Sequence, residues 1–326
     1  MSEPTLNYVL CPDASATGGR RMAYWQWGNP ESGHVVLCVH GLTRQGRDFD
    51  VLAQALCEKS GNSIRVVCPD VAGRGQSDWL TDPAGYQIPF YAADMLALLA
   101  QLKPTTLDWV GTSMGGLIGL VVCNLLTPAA APGRPKQGTA PMGGSAVHEV
   151  TSVGASIVSV RRLVLNDVGP TIEWQALQRI GDYLGNTGKF DSVQQAVDAM
   201  WATSSSFGTH TPAQWLALSR PMVKPMADNP GSYTLHYDPA IAAPFKAVTQ
   251  ESTVQGEAQL WQLYDNIKAQ TLLVRGALSD LLSPATAQAM TQRGPQTKLV
   301  EFAGVGHAPT FVVDDQVQTL VSFLLD

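Results

Sequence analysis

Much is scarce in this chain of 326 residues, and each scarcity removes a class of protein. Cysteine occurs five times (Cys11, Cys38, Cys57, Cys68 and Cys123), an odd number with no Cys-x-x-Cys pair. A disulfide scaffold is therefore excluded. Cys38 and Cys68 sit inside apolar runs, where a free thiol behaves as a small hydrophobe. Reduced, structural cysteines point to a reducing compartment and a cytoplasmic location. Charge is thin too: only 15% of residues are charged, and 21 Lys and Arg against 27 Asp and Glu leave a net charge of −6. That balance argues against a surface for nucleic acid. No apolar run reaches the roughly 18 residues that a membrane span requires. The best run, Gly116 to Leu126, is too short. Met1-Ser2-Glu3-Pro4 lacks the basic-then-apolar pattern of a secretory signal. The histidines show no metal-ligand spacing such as His-Glu-x-x-His, so no metal site is expected. Internal repeats and heptads are also lacking.

What is present is hydrophobic material, 45% of the chain, enough for a large core. The length allows two domains, or one large α/β core with an insertion. Short β-branched runs alternate with helical patterns. Val35–Val39 reads as a strand buried on both faces, as do Leu163–Leu165, Thr271–Arg275 and Leu299–Phe302, and Ile64–Cys68 reads as a further strand. Ile88, Ala92, Met95, Leu99 and Leu102 step at three and four residues, the spacing of an amphipathic helix. A closing helix follows, with Asp314 as its expected N-cap. Such alternation predicts a mostly parallel, doubly wound sheet. The core is expected over residues 1–169 and 266–326, with a mobile Ala/Pro/Gly-rich loop at 128–159. Between its two parts, over 170–265, strand patterns vanish and helical ones dominate, which predicts an inserted helical cap. Trp174, Trp201, Trp215 and Trp261 lie there, either packing the small subdomain or lining an apolar channel.

One motif carries the chemistry. Gly111-Thr112-Ser113-Met114-Gly115 is G-x-S-x-G set directly between a strand and a helix. A serine at so sharp a turn presents its hydroxyl above the sheet edge, and the helix behind it points positive dipole toward developing negative charge. Serine needs a base, and His307 follows the last strand, at the same edge. The base needs an orienting carboxylate. Asp280, after the preceding strand, is favoured for that role; the rival Asp167 is expected to hold the turn into the insertion. The order is then Ser113, Asp280, His307. Val39-His40-Gly41-Leu42-Thr43 supplies an oxyanion hole, with the Leu42 and Met114 amides as donors and His40 bracing the loop. Arg44 and Arg47 could hold a substrate carboxylate; alternatively they pair with Asp48 or Asp50.

Together with Asp70-Val71-Ala72-Gly73-Arg74-Gly75-Gln76-Ser77, Gly276–Asp280 and Gly306-His307, these residues make the chain resemble the α/β-hydrolase-fold serine hydrolases, in the capped, carboxylesterase-like group. The resemblance covers nearly the whole chain and implies that the 70–77 turn supports the fold. Its glycines lack a Gly-Lys-Ser/Thr and do not read as a phosphate loop. Relatives that open epoxides or displace halide have aspartate where Ser113 stands, so serine implies an acyl-enzyme route. The expected activity is cofactor-free hydrolysis of a small to medium carboxylic ester. Enol-lactone or carbon–carbon hydrolysis by the same triad is the alternative, and a non-catalytic small-ligand receptor on the same fold a third. A small acyl compound is the only partner expected, and no oligomeric state follows.

Overall fold

A computed structural model describes residues 3–12, 18–127 and 158–326. All but two residues of the expected loop at 128–159 lie outside the described residues. In chain order the strands are β1 (Thr5–Cys11), β2 (Arg20–Gly28), β3 (His34–Val39), β4 (Arg65–Pro69), β5 (Thr106–Thr112), β6 (Val160–Asn166), β7 (Val223–Pro225), β8 (Tyr233–Leu235), β9 (Gln270–Gly276) and β10 (Lys298–Phe302). Eight of them form one sheet in the order β1-β2-β4-β3-β5-β6-β9-β10. Pairing is antiparallel from β1 to β2 and from β2 to β4, and parallel from there on. The doubly wound, mostly parallel sheet expected from the alternating pattern is therefore present.

Helices cover both faces. On one side α2 (Ile88–Leu102) and α3 (Met114–Leu126) pack over Leu37, Leu107, Trp109 and Leu165. On the other, α1 (Asp50–Lys59) and α10 (Asp314–Leu325) cover Val36, Val110, Val164 and Val274. Alternate residues of one strand thus enter opposite cores, which explains why the central strands read as continuous apolar runs. Helix α10 begins at Asp314 itself, after Val313 at the N-cap, so Asp314 and Asp315 serve the helix dipole rather than the cap. All five cysteines are free and buried.

Between β6 and β9 lie α4 (Trp174–Tyr183), α5 (Val193–Ser204), α6 (Pro212–Ser219), α7 (Ala242–Lys246) and α8 (Gln250–Asp265). Helix α6 starts with a Thr211/Gln214 capping box and Pro212 in its first turn. The insertion is not wholly helical: β7 and β8 form an antiparallel ribbon of three residues a side, too short to show a strand period. The ribbon end is tied to the core, where Gly75 N donates to His236 O at 3.2 Å and Asp238 N to Gly73 O at 2.7 Å. Trp215 packs with Val197, Met200, Leu218 and Met222, and Trp201 meets it edge-on at 5.0 Å.

Candidate active site

The site lies where β5, β6, β9 and β10 end. Ser113 occupies the one-residue turn between β5 and α3, with φ 51° and ψ −115°. Left-handed backbone at a non-glycine residue is strained and survives only where surroundings enforce it. Here the flanking glycines do so: a Cβ on Gly111 would lie 2.4 Å from Gly115 O, and one on Gly115 would lie 2.0 Å from Val39 O. Strand and helix therefore approach more closely than any side chain permits, and the serine is pushed outward. Ser113 N donates to Asn166 O at 2.9 Å, which fixes the turn against β6.

His307, five residues past β10 on the loop before α10, presents Nε2 to Ser113 Oγ at 3.0 Å. Its Nδ1 faces Asp167 Oδ2 at 2.8 Å. Asp167 is fully buried directly after β6, itself with φ 55°. Its carboxylate also accepts from Gly276 N at 3.0 Å and from Ser279 Oγ at 2.6 Å. These bonds hold the carboxylate in one orientation, so the ring nitrogen beside it carries the proton and Nε2 is left to accept from serine.

Asp280 is not at the site, contrary to the sequence expectation. The turn after β9 is wound around Ser279, whose Oγ bonds Asp167 and accepts from the amides of Leu281 and Leu282. With Ser279 turned inward, Asp280 points outward, half-exposed, where Arg179 Nε and Nη2 reach it at 2.8 and 3.0 Å. Adjacent residues at such a turn face opposite ways, and the choice between them was not written in the spacing. Ser279 is a site residue that sequence reading missed, and nothing in the sequence separated it from its neighbour Asp280.

The loop after β3 runs beside the serine: a Cβ on Gly41 would lie 3.8 Å from Ser113 Cβ. His40, fully buried, accepts from Val71 N through Nε2 at 2.9 Å and donates through Nδ1 to Gly41 O at 2.7 Å. Burial pushes its pKa down to about 3, so it is a neutral brace. Arg74, from the 70–77 turn, donates to Leu42 O at 2.9 Å and to Tyr91 Oη at 2.9 Å. Asp70 ties the same turn to Gly46 N and Gln76 N, each at 2.8 Å. These contacts set the Leu42 backbone beside the N-terminus of α3, where Met114 is the first residue.

Two cavities meet at Ser113, Leu42 and Ile180, one of about 860 Å³ and one of about 350 Å³. No tryptophan lines either cavity; Trp215 is buried inside the insertion, whereas Trp201 is exposed. Arg44 lines the smaller cavity but is forked onto Asp48 at 2.8 and 2.6 Å. Arg47 does not reach the site: it pairs with Asp50 and lies over the Trp25 ring at 4.8 Å. Among the described residues no cluster of three or more His, Cys, Asp or Glu is arranged to hold a metal, and no helix is long and apolar enough to cross a membrane.

A serine elbow on a mostly parallel sheet, with a histidine delivered from the loop before the last helix, defines a class of hydrolases. The chain belongs to the alpha/beta hydrolase fold family, whose model matches residues 34–312. It is 43% identical over 323 residues to a 3-hydroxybutyrate-oligomer hydrolase of Cupriavidus necator, covering 99% of this chain and 98% of that one. A crystal structure of an alpha/beta hydrolase from Novosphingobium aromaticivorans is 28% identical, covers 99% of both chains and superposes with a TM-score of 0.75. An esterase from Mycobacterium tuberculosis shares the fold at 19% identity and a TM-score of 0.63, over 99% of this chain and 90% of its own. The protein is a hydrolase.

Proposed function

We propose that this hydrolase cleaves carboxylic esters through an acyl-enzyme on Ser113, with His307 as general base and Asp167 as the orienting acid. The observation that carries the reading is the continuous chain from Ser113 Oγ to His307 Nε2 at 3.0 Å and from His307 Nδ1 to Asp167 Oδ2 at 2.8 Å. His307 takes the serine proton as Oγ attacks the carbonyl. The Leu42 and Met114 amides stabilise the tetrahedral oxyanion. The scissile C–O bond then breaks, and its oxygen leaves with the proton held by His307. Water, deprotonated in turn by His307, attacks the acyl carbon; Ser113 recovers its proton and the acid departs. Residues 170–265 act as a cap that roofs the two cavities. The 43% identical relative supports oligomers of a hydroxy acid as the substrate class. No cofactor enters this scheme.

Ser113→Ala should lower turnover of p-nitrophenyl butyrate by about five orders of magnitude while the thermal unfolding curve is retained. A fluorophosphonate probe should label Ser113 in the folded wild type. Retained activity in Ser113→Ala, or a probe adduct elsewhere with none on Ser113, overturns the assignment.

A further inference from the structure

The two cavities at Ser113 differ in charge as well as size. The larger is lined by apolar and neutral residues from α2, α7 and α8, and no described lining residue carries a charge. The smaller contains Arg44 and Arg179, with no carboxylate among its described lining residues. His307 lines the smaller cavity and not the larger. That asymmetry orients an ester. The leaving oxygen must lie within hydrogen-bond reach of the imidazole that protonates it. The alcohol portion therefore extends into the smaller cavity, and the acyl portion into the larger one.

Resting on the Ser113–His307 reading above, we propose that the alcohol portion carries a carboxylate bound by Arg179, so that chains of ester-linked hydroxy acids are cut from their carboxylate end. The two arginines differ in freedom. Arg44 and Asp48 are both largely buried, and Arg44 also donates to Leu218 O at 3.1 Å, so this side chain is committed to joining the Arg44 loop to α6. Arg179 is 42% exposed and its partner Asp280 50% exposed. A pair so open to water contributes little and exchanges readily, and Asp280 does not line the cavity. A guanidinium offers five donors in a planar fork that suits a carboxylate. In the reaction the ester C–O bond nearest the carboxylate breaks, and its oxygen takes the proton that His307 received from Ser113. A single hydroxy acid leaves as its carboxylate. Water supplies OH to the shortened acyl chain and a proton to Ser113.

The test compares 3-hydroxybutyrate trimer as the free acid with the same trimer capped as its methyl ester, the carboxyl-terminal unit isotopically labelled. The free acid should be preferred by about tenfold in kcat/KM, and the labelled monomer should appear first. Arg179→Gln should bring that preference close to one through KM. Asp280→Asn, which removes the competing carboxylate, should raise it. A merely structural pair would move both variants in the same direction. Equal rates on the two wild-type substrates, late release of the label, or parallel shifts in the two variants overturn the proposal. Fluorophosphonate labelling of Ser113 in the same samples separates the two readings: a labelled enzyme without the preference sinks the carboxylate-end proposal alone, and an unlabelled one sinks both.

Discussion

Two aspartates follow strands that end at the site, and only Asp167 meets the His307 ring. Asp167 is fully buried and 2.8 Å from Nδ1, whereas Asp280 is half-exposed and bound to Arg179. Asp167→Asn would present an amide to the ring, favour the wrong tautomer and leave Nε2 unable to accept. Its turnover of a neutral p-nitrophenyl ester should fall by about 10⁴-fold. Asp280→Asn should stay within about threefold on the same substrate, because an exposed ion pair contributes little. Steady-state kinetics on the two variants decides the matter, and the reverse pattern would restore Asp280 to the role. At this scale Ser113 was legible because its motif requires glycines at fixed offsets, and His307 because a lone histidine follows the last strand. The carboxylate partner of His307 was not legible: carboxylates follow both β6 and β9, and which one turns inward depends on the side-chain bonds of Ser279, a tertiary fact.

At the scale of elements, β5 passes into α3 through a single residue, Ser113. Trp109, fully buried beneath α3, donates from Nε1 to Gly115 O at 3.1 Å, so the helix rests directly on the strand that feeds it. Gly115→Ala would place a methyl carbon within 2.0 Å of Val39 O, which is backbone and has nowhere to move. The variant should lose about 3 kcal/mol of unfolding free energy, the upper range for overpacking, along with the Ser113 geometry. Urea denaturation gives the first and ester turnover the second. Unchanged stability would show that α3 can slide, and that the glycine is not required. Core elements announced themselves by period, as in the steps of α2 and the apolar runs of β3 and β9. The ribbon of β7 and β8 did not, because three residues a side show no alternation. Its place is set instead by bonds from the 70–77 turn to His236 and Asp238.

Across the whole molecule the catalytic edge faces away from a second polar cluster at the other end of the sheet. His34 at the start of β3 and Arg161 in β6 converge on Asp108 in β5, at 2.7 Å and 2.9 Å. Arg161 also donates to Leu324 O at 3.0 Å, which ties the last helix to the central strands. The network therefore binds together segments from early and late in the chain, as a core assembled from both sides of an insertion requires. Burial of Asp108 by itself would raise its pKa, but the hydrogen bonds from His34 and Arg161 outweigh it and hold the carboxyl below the ordinary value of 3.8. Because the folded state favours the ionised form, the contribution to stability is complete above that value and lost as pH falls through the lower, folded one. Asp108→Asn should then cost about 2 kcal/mol at pH 7, the lower range for bonds to a charged group because Arg161 is partly exposed. The gap between wild type and variant should shrink below about pH 4 as the wild-type carboxylate is protonated. Urea unfolding at pH 7 and pH 3 measures both gaps. A difference that stays constant between the two would mean that Asp108 contributes through shape rather than charge, and that the strand ends are held by packing alone.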